Sequence, residues 1–152
     1  MLTIAYVSAA VEPFSQDDLL ALLAQSRRDN AAHGVTGCLL YKQGEFMQFL
    51  EGEEAEVRQL FENIKRDRRH HCIFQFLDRQ TQTAAFGDWS MGFFDLSGAS
   101  DKVPGYNDFM NRMYTLNEPA AADNAYIRVL QRFRDGVPLD PAQFPDRTDE
   151  LN

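Results

Sequence analysis

The sequence predicts an α+β fold, a ferredoxin-like β-α-β-β-α-β-β sandwich with two additional C-terminal helices. Three observations predict it. Strand-like apolar runs fall at 2–8, 35–41, 46–51, 72–77 and 91–96; helical stripes lie after the first and third of these; and the composition shifts toward Pro, Asn and Asp after residue 99. A chain of 152 residues, 44% hydrophobic, is long enough for one domain with a tail. The expected division is a domain over 1–98, a helical extension over 99–139 packing on the sheet, and a flexible tail over 140–152.

In the first run Leu2, Ile4 and Tyr6 alternate with Thr3, Ala5 and Val7, the period of a strand covered on both faces. After Pro13, Ser15 suits a helix N-cap with Asp18 three residues on, and Leu19, Leu23, Ser26 and Asn30 recur at helical spacing. Gly34 suits the left-handed position past that helix. Runs 35–41 and 46–51 read as a hairpin turning around Gly44, with Gly52 ending it. Acidic residues from Glu53 open a second helix striped by Val57, Leu60, Phe61 and Ile64, which closes in the basic run 65–71. A polar connection containing Thr81, Thr83 and Gly87 joins the last two strands. Helical patterns then cover 106–116 and 121–135. Because the strands are apolar on both sides, these helices are expected on the sheet face that the first two leave bare.

A net charge of -8 argues against nucleic acid and anionic membranes, which attract clustered Lys and Arg. No stretch approaches the roughly 20 apolar residues of a membrane span, and the N-terminus lacks the pattern of a signal peptide, so a cytoplasmic protein is expected. Cys38 and Cys72 lie in apolar runs and read as small buried hydrophobes. His70, His71 and Cys72 are adjacent without a second spaced pair, a poor match to metal-ligand spacing. Gly34 and Gly37 read as a cap and a strand entry rather than a phosphate loop.

Four residues stand where a core would prefer aliphatics: Tyr6, Asn30, Gln48 and Trp89. A strand Tyr usually packs with its hydroxyl bonded, and an Asn in a last helical turn usually caps it. A buried Gln is rarer, since its amide costs a few kcal/mol unless its bonds are satisfied. At their spacings these residues resemble the blue-light-using-flavin family, the BLUF domains. The segment Asn30-Ala-Ala-His-Gly-Val-Thr-Gly-Cys-Leu-Leu-Tyr with Gly44-Glu-Phe-Met-Gln-Phe-Leu-Glu-Gly is similar to that family's central signature. Ile4-Ala-Tyr-Val-Ser, Asp67-Arg-Arg-His-His and Trp89-Ser-Met follow in the expected order.

The resemblance, over roughly residues 1–98, implies a blue-light photoreceptor that is not an enzyme, with FAD or FMN held non-covalently between the first two helices. It implies that Tyr6 is the light-driven electron and proton donor, that Gln48 bridges Tyr6 to the flavin, and that Asn30 holds the ring's polar edge. Trp89 and Met91 would lie near Gln48 and vary with signalling state, while Asp67, Arg69 and His70 would face the ribityl and phosphate end. Asp29 and Asn63 depart from the residues the family usually carries there, with Lys65 or Arg66 as substitute basic groups. Short relatives imply a homo-oligomer acting through a downstream protein partner. The basic run also reads simply as a solvated helix end.

Three other classes compete. A small flavin-dependent reductase would need a hydride-donor site, and no dinucleotide fingerprint is present. An RNA-binding module would need exposed sheet aromatics in a basic setting, and an interaction module without cofactor would purify colourless.

Overall fold

The computed structural model describes residues 1–82 and the backbone of 92–95. Seven elements follow in the predicted order: β1 (Leu2–Ala10), α1 (Gln16–His33), β2 (Thr36–Lys42), β3 (Glu45–Gly52), α2 (Glu54–Lys65), β4 (His70–Gln80) and β5 (Gly92–Asp95). They build one five-stranded sheet in the order β4-β1-β3-β2-β5. β1 runs antiparallel to β3 and β4, β3 antiparallel to β2, and β5 parallel to β2. The first four strands therefore form two interleaved β-α-β units. The expected helices at 106–116 and 121–135, the tail, Trp89 and Met91 lie outside the described residues.

Strand parity sorts the core. Leu2, Ile4 and Tyr6 of β1, Leu39 and Tyr41 of β2, and Phe46 and Leu50 of β3 pack in one cluster with Leu19 and Leu23 of α1 and Val57, Leu60 and Phe61 of α2. The helices thus cover this face. The opposite face is buried as well: Thr3, Ala5, Cys38, Leu40, Met47, Phe49 and Glu51 are each at most 1% exposed. Both-sided burial of the inner strands agrees with their continuous apolar composition.

α1 opens on Ser15, whose hydroxyl accepts from the Asp18 N–H at 3.1 Å while the Ser15 N–H donates to the Asp18 carboxylate at 3.0 Å. The bond from the Ser15 N–H holds the Asp18 carboxyl below the usual carboxylate range. The helix ends at Gly34 with φ 63°, where the Gly34 N–H donates back to carbonyls of the last turn. Ser15→Ala is expected to cost about 1 kcal/mol in a urea melt.

β4 departs from the expected 72–77. It starts two residues earlier and runs to Gln80, because pairing with β1 continues through polar residues along an edge where only one side needs covering. Its register against β1 shifts twice, between Ala5 and Tyr6 and between Val7 and Ala9. At the second shift Cys72 has φ 54° and is exposed, which corrects its expected burial; Cys38 is buried, and burial pushes its thiol pKa up. Among the described residues, no helix is long and apolar enough to cross a membrane.

Candidate functional site

The site begins with strand register. Tyr6 on β1 and Gln48 on β3 are direct cross-strand partners, so their side chains leave the sheet side by side on the helix-covered face. A slip of one residue would put them on opposite faces. The Tyr6 hydroxyl donates a hydrogen bond to Gln48 Oε1. Both residues are buried, and among the described residues no buried side-chain N or O lacks a hydrogen-bond partner. The cost of burying the amide is thereby offset. Gln48 is flanked on its other side by Leu39 of β2.

A cleft opens above this pair between the sheet and the two helices. Its apolar walls are Phe14, Leu22, Leu39, Phe46, Leu60 and Ile64, drawn from the sheet, both helices and the β1–α1 connection. Phe14 is set by its N–H bond to the Tyr41 hydroxyl at 3.2 Å and by an edge contact with Phe46 at 5.1 Å. At the inner end stand the buried polar residues Tyr6, Asn30 and Gln48. Asn30 reaches this place because its backbone carbonyl is spent on the helix end, accepting from the Val35 N–H at 2.8 Å, while its side chain belongs to the cleft wall. Asp29, next to Asn30, and Gln25 and Ser26, about one turn earlier along α1, line the same side.

The basic run after α2 contributes the remaining wall. Arg69 donates to the Asp67 carboxylate from Nη2 at 2.6 Å and from Nε at 3.0 Å, and its Nη2 also reaches Gln25 Oε1 at 3.0 Å across the cleft. The hydrogen bonds from Arg69 hold the Asp67 carboxyl below the usual range, and the same pairing raises the Arg69 guanidinium. His70 is bonded at both ring nitrogens, Nε2 to the Ile64 carbonyl at 2.7 Å and Nδ1 to Ser8 Oγ at 2.8 Å. A carbonyl only accepts, so Nε2 carries a proton. The Tyr6 ring sits between Phe61 at 5.3 Å and His70 at 6.2 Å. Burial pushes the Tyr6 phenol far above its ordinary pKa, and the Asp67 charge adds to the shift.

Of the residues named from the sequence, Tyr6, Asn30, Gln48, Asp67, Arg69 and His70 come together in one cleft. Lys65 does not line it: its ammonium pairs with Glu62 and lies 5.0 Å from the Phe61 ring centroid. Asn63 is bonded to Gln59 at 3.3 Å, also outside the cleft lining. Ser8 and Gln25 were missed. Ser8 shares the face of Tyr6 two residues on, and Gln25 is one turn from Asp29 and four residues before it, so a search of those two faces for polar residues would find both. Glu51, another buried polar group, belongs to the opposite sheet face and pairs with the Thr36 hydroxyl at 3.4 Å.

The family model described as sensors of blue-light using FAD matches residues 1–92. The chain belongs to the BLUF family. This BLUF domain is 40% identical over 90 residues to the photoactivated adenylate cyclase subunit beta of Euglena longa, covering 59% of this chain and 10% of that protein. It is 34% identical over 85 residues to the blue light- and temperature-regulated antirepressor BluF of Escherichia coli K12, covering 56% of this chain and 21% of that one. The chain thus spans a tenth to a fifth of these relatives. Among solved structures, BlrP1 of Klebsiella pneumoniae with FMN and cyclic diGMP superposes with a TM-score of 0.70 at 26% identity, over 89% of this chain and 35% of that one. BlsA in its photo-activated state matches with a TM-score of 0.60 at 26% identity, over 90% of this chain and 93% of BlsA.

The family is one of flavin-binding light sensors, and the cleft suits such a group. An isoalloxazine ring is flat and aromatic with hydrogen-bonding groups along one edge. The BLUF domain offers apolar walls on both helices and three buried polar side chains at the closed end. A flavin would be held there by Asn30 and Gln48 at its polar edge.

Proposed function

We propose that this domain converts blue-light absorption into a new hydrogen-bond pattern at Gln48, with Tyr6 as electron and proton donor. The Tyr6–Gln48 bond at the inner end of a cleft walled by apolar side chains of the sheet and both helices carries the reading. A bound flavin supplies a photoexcited state that strongly oxidises nearby phenols. Tyr6 is suited to respond, since burial keeps its hydroxyl protonated in the dark and its one proton already points at Gln48 Oε1. Loss of an electron makes a phenol far more acidic, and the proton has a path to the amide. Gln48 then exchanges donor for acceptor toward Tyr6 by rotation or tautomerisation, since a carboxamide carries both kinds of group on one plane.

A rearranged buried hydrogen bond provides about 1–3 kcal/mol, whereas inverting a 1:99 population takes about 5.5 kcal/mol. The output element is therefore one already near balance. β2 supports this assignment: its Leu39 flanks Gln48 on one side and pairs with Phe93 of β5 on the other, and β5 directly follows Met91. Trp89, Met91 and β5 carry the change to residues beyond 98 and to a protein partner, with the chain acting as a homo-oligomer and sensor rather than an enzyme. FAD is the favoured flavin, from the family's own description.

The test is the visible spectrum of the purified chain before and after blue illumination. Flavin bands that shift slightly to longer wavelength and recover in darkness are expected. Gln48→Leu should keep the flavin and lose the shift. A colourless protein after refolding with riboflavin, FMN or FAD overturns the reading, as does a normal photocycle in Gln48→Leu.

A further inference from the structure

We propose that Tyr41 is a positioning residue for the flavin cleft: its hydroxyl holds Phe14 in place as a wall of the cleft and so sets how long a flavin stays bound. This rests on the sensing function proposed above, which supplies the ligand. Tyr41 itself does not line the cleft; Phe14 does.

Geometry carries the inference. Phe14 belongs to residues 11–15, the connection between β1 and α1. In that connection Val11, Glu12, Pro13 and Ser15 are exposed, and Phe14 alone is drawn inward. Two bonds tie it back to the body of the domain: the Val11 N–H donates to the Arg69 carbonyl at 3.0 Å, and the Phe14 N–H donates to the Tyr41 hydroxyl at 3.2 Å. Phe14 precedes the N-cap Ser15, so no turn of α1 supplies a carbonyl for its N–H and an outside acceptor is needed. Tyr41 can serve because its own place is fixed. It is the cross-strand partner of Phe46, is 4% exposed, and its ring centroid lies 4.9 Å from that of Phe46. The Phe14 ring completes the group, 6.1 Å from Tyr41 and edge-on to Phe46 at 5.1 Å.

Two hollows meet at this ring. One is the cleft with Tyr6 and Gln48 at its inner end; the other opens at the surface among the exposed residues Glu12, Pro13, Asp18 and Arg68. Phe14 and Arg69 line both and form the partition between them. Arg69 is anchored by Asp67 and Gln25, whereas Phe14 depends on the Tyr41 hydroxyl and two ring contacts. A wall fixed before the ligand arrives spares the complex the cost of ordering it, and a wall that swings out joins the cleft to the surface hollow. The effect of loosening it falls on the rate of ligand loss.

The experiment loads the full chain with FAD, dilutes it, and follows the flavin remaining with the protein over time. Tyr41→Phe keeps the ring and removes only the acceptor; flavin loss about three- to tenfold faster is expected, the effect of one hydrogen bond. Phe14→Ala, which removes the wall outright, should speed loss about tenfold or more. Adding Tyr41→Phe to Phe14→Ala should change the rate by less than about twofold, because the bond acts through the ring it holds. A Tyr41 that only stabilised the sheet would instead give the product of the two single effects. That product overturns the proposal, as does a Tyr41→Phe protein that releases flavin at the wild-type rate. Should Tyr41→Phe not fold, an ester in place of the Pro13–Phe14 amide removes the donor from the other side and carries the same expectation. A chain that takes up no flavin overturns the sensing function as well, whereas a normal light response with an unchanged rate of flavin loss in Tyr41→Phe overturns this proposal alone.

Discussion

Gly37→Ala should cost this domain about 3 kcal/mol or more, beyond the 1–3 kcal/mol of ordinary overpacking. A methyl group there would lie 2.0 Å from the Phe49 carbonyl oxygen and 3.0 Å from its carbon. The obstacle is backbone, and it belongs to β3, which is hydrogen-bonded to β1 on one side and β2 on the other. Withdrawal would break one ladder or the other. Gly34→Ala provides the contrast. Its φ of 63° strains any L side chain, but nothing lies within 4 Å of the added carbon, so about 1–2 kcal/mol is expected. Urea denaturation of both variants checks the ranking, and a Gly37→Ala protein as stable as Gly34→Ala would contradict the close approach. Because Gln48 precedes Phe49 on β3, the Gly37 variant should also lose flavin.

Tyr6→Phe should abolish the spectral shift entirely while the flavin stays bound. The ring remains to pack against Phe61, so the cleft keeps its shape. What is lost is the hydroxyl, and with it both the proton and the low-energy route for the electron. The bond to Gln48 Oε1 goes too, leaving a buried acceptor to be satisfied anew at a cost of about 1–3 kcal/mol. Illumination with detection of the flavin bands checks the first effect, and thermal melting checks the second. A normal photocycle in this variant would remove Tyr6 from the mechanism.

The sequence was most readable where one local rule decides. Ser15 with Asp18 and Gly34 bound α1 because capping chemistry acts within three or four residues. Tyr6, Gln48 and Asn30 were readable as a set because strand parity and helical spacing put polar groups on faces that the surrounding Leu and Phe residues mark as core. Contacts between distant segments were not readable. The Arg69–Gln25 and His70–Ser8 bonds join residues 44 and 62 apart, and they depend on how the loop after α2 turns back toward β1. Nor does composition tell that β5 joins the β2 edge, or that Cys72 occupies a register shift and points outward from an otherwise apolar run. Lys65 misleads for a related reason. It adjoins Ile64, which lines the cleft, but successive helical positions differ by 100° and its ammonium turns to Glu62.

The two irregularities in β4 have a bearing on colloidal behaviour. Among the described residues β4 is an outermost strand, and an edge eleven residues long is the kind of template on which a second polypeptide could nucleate intermolecular pairing. Interrupting that edge twice leaves no stretch straight enough to recruit a flat neighbour. The two shifts thereby guard this border against fibre-like self-association.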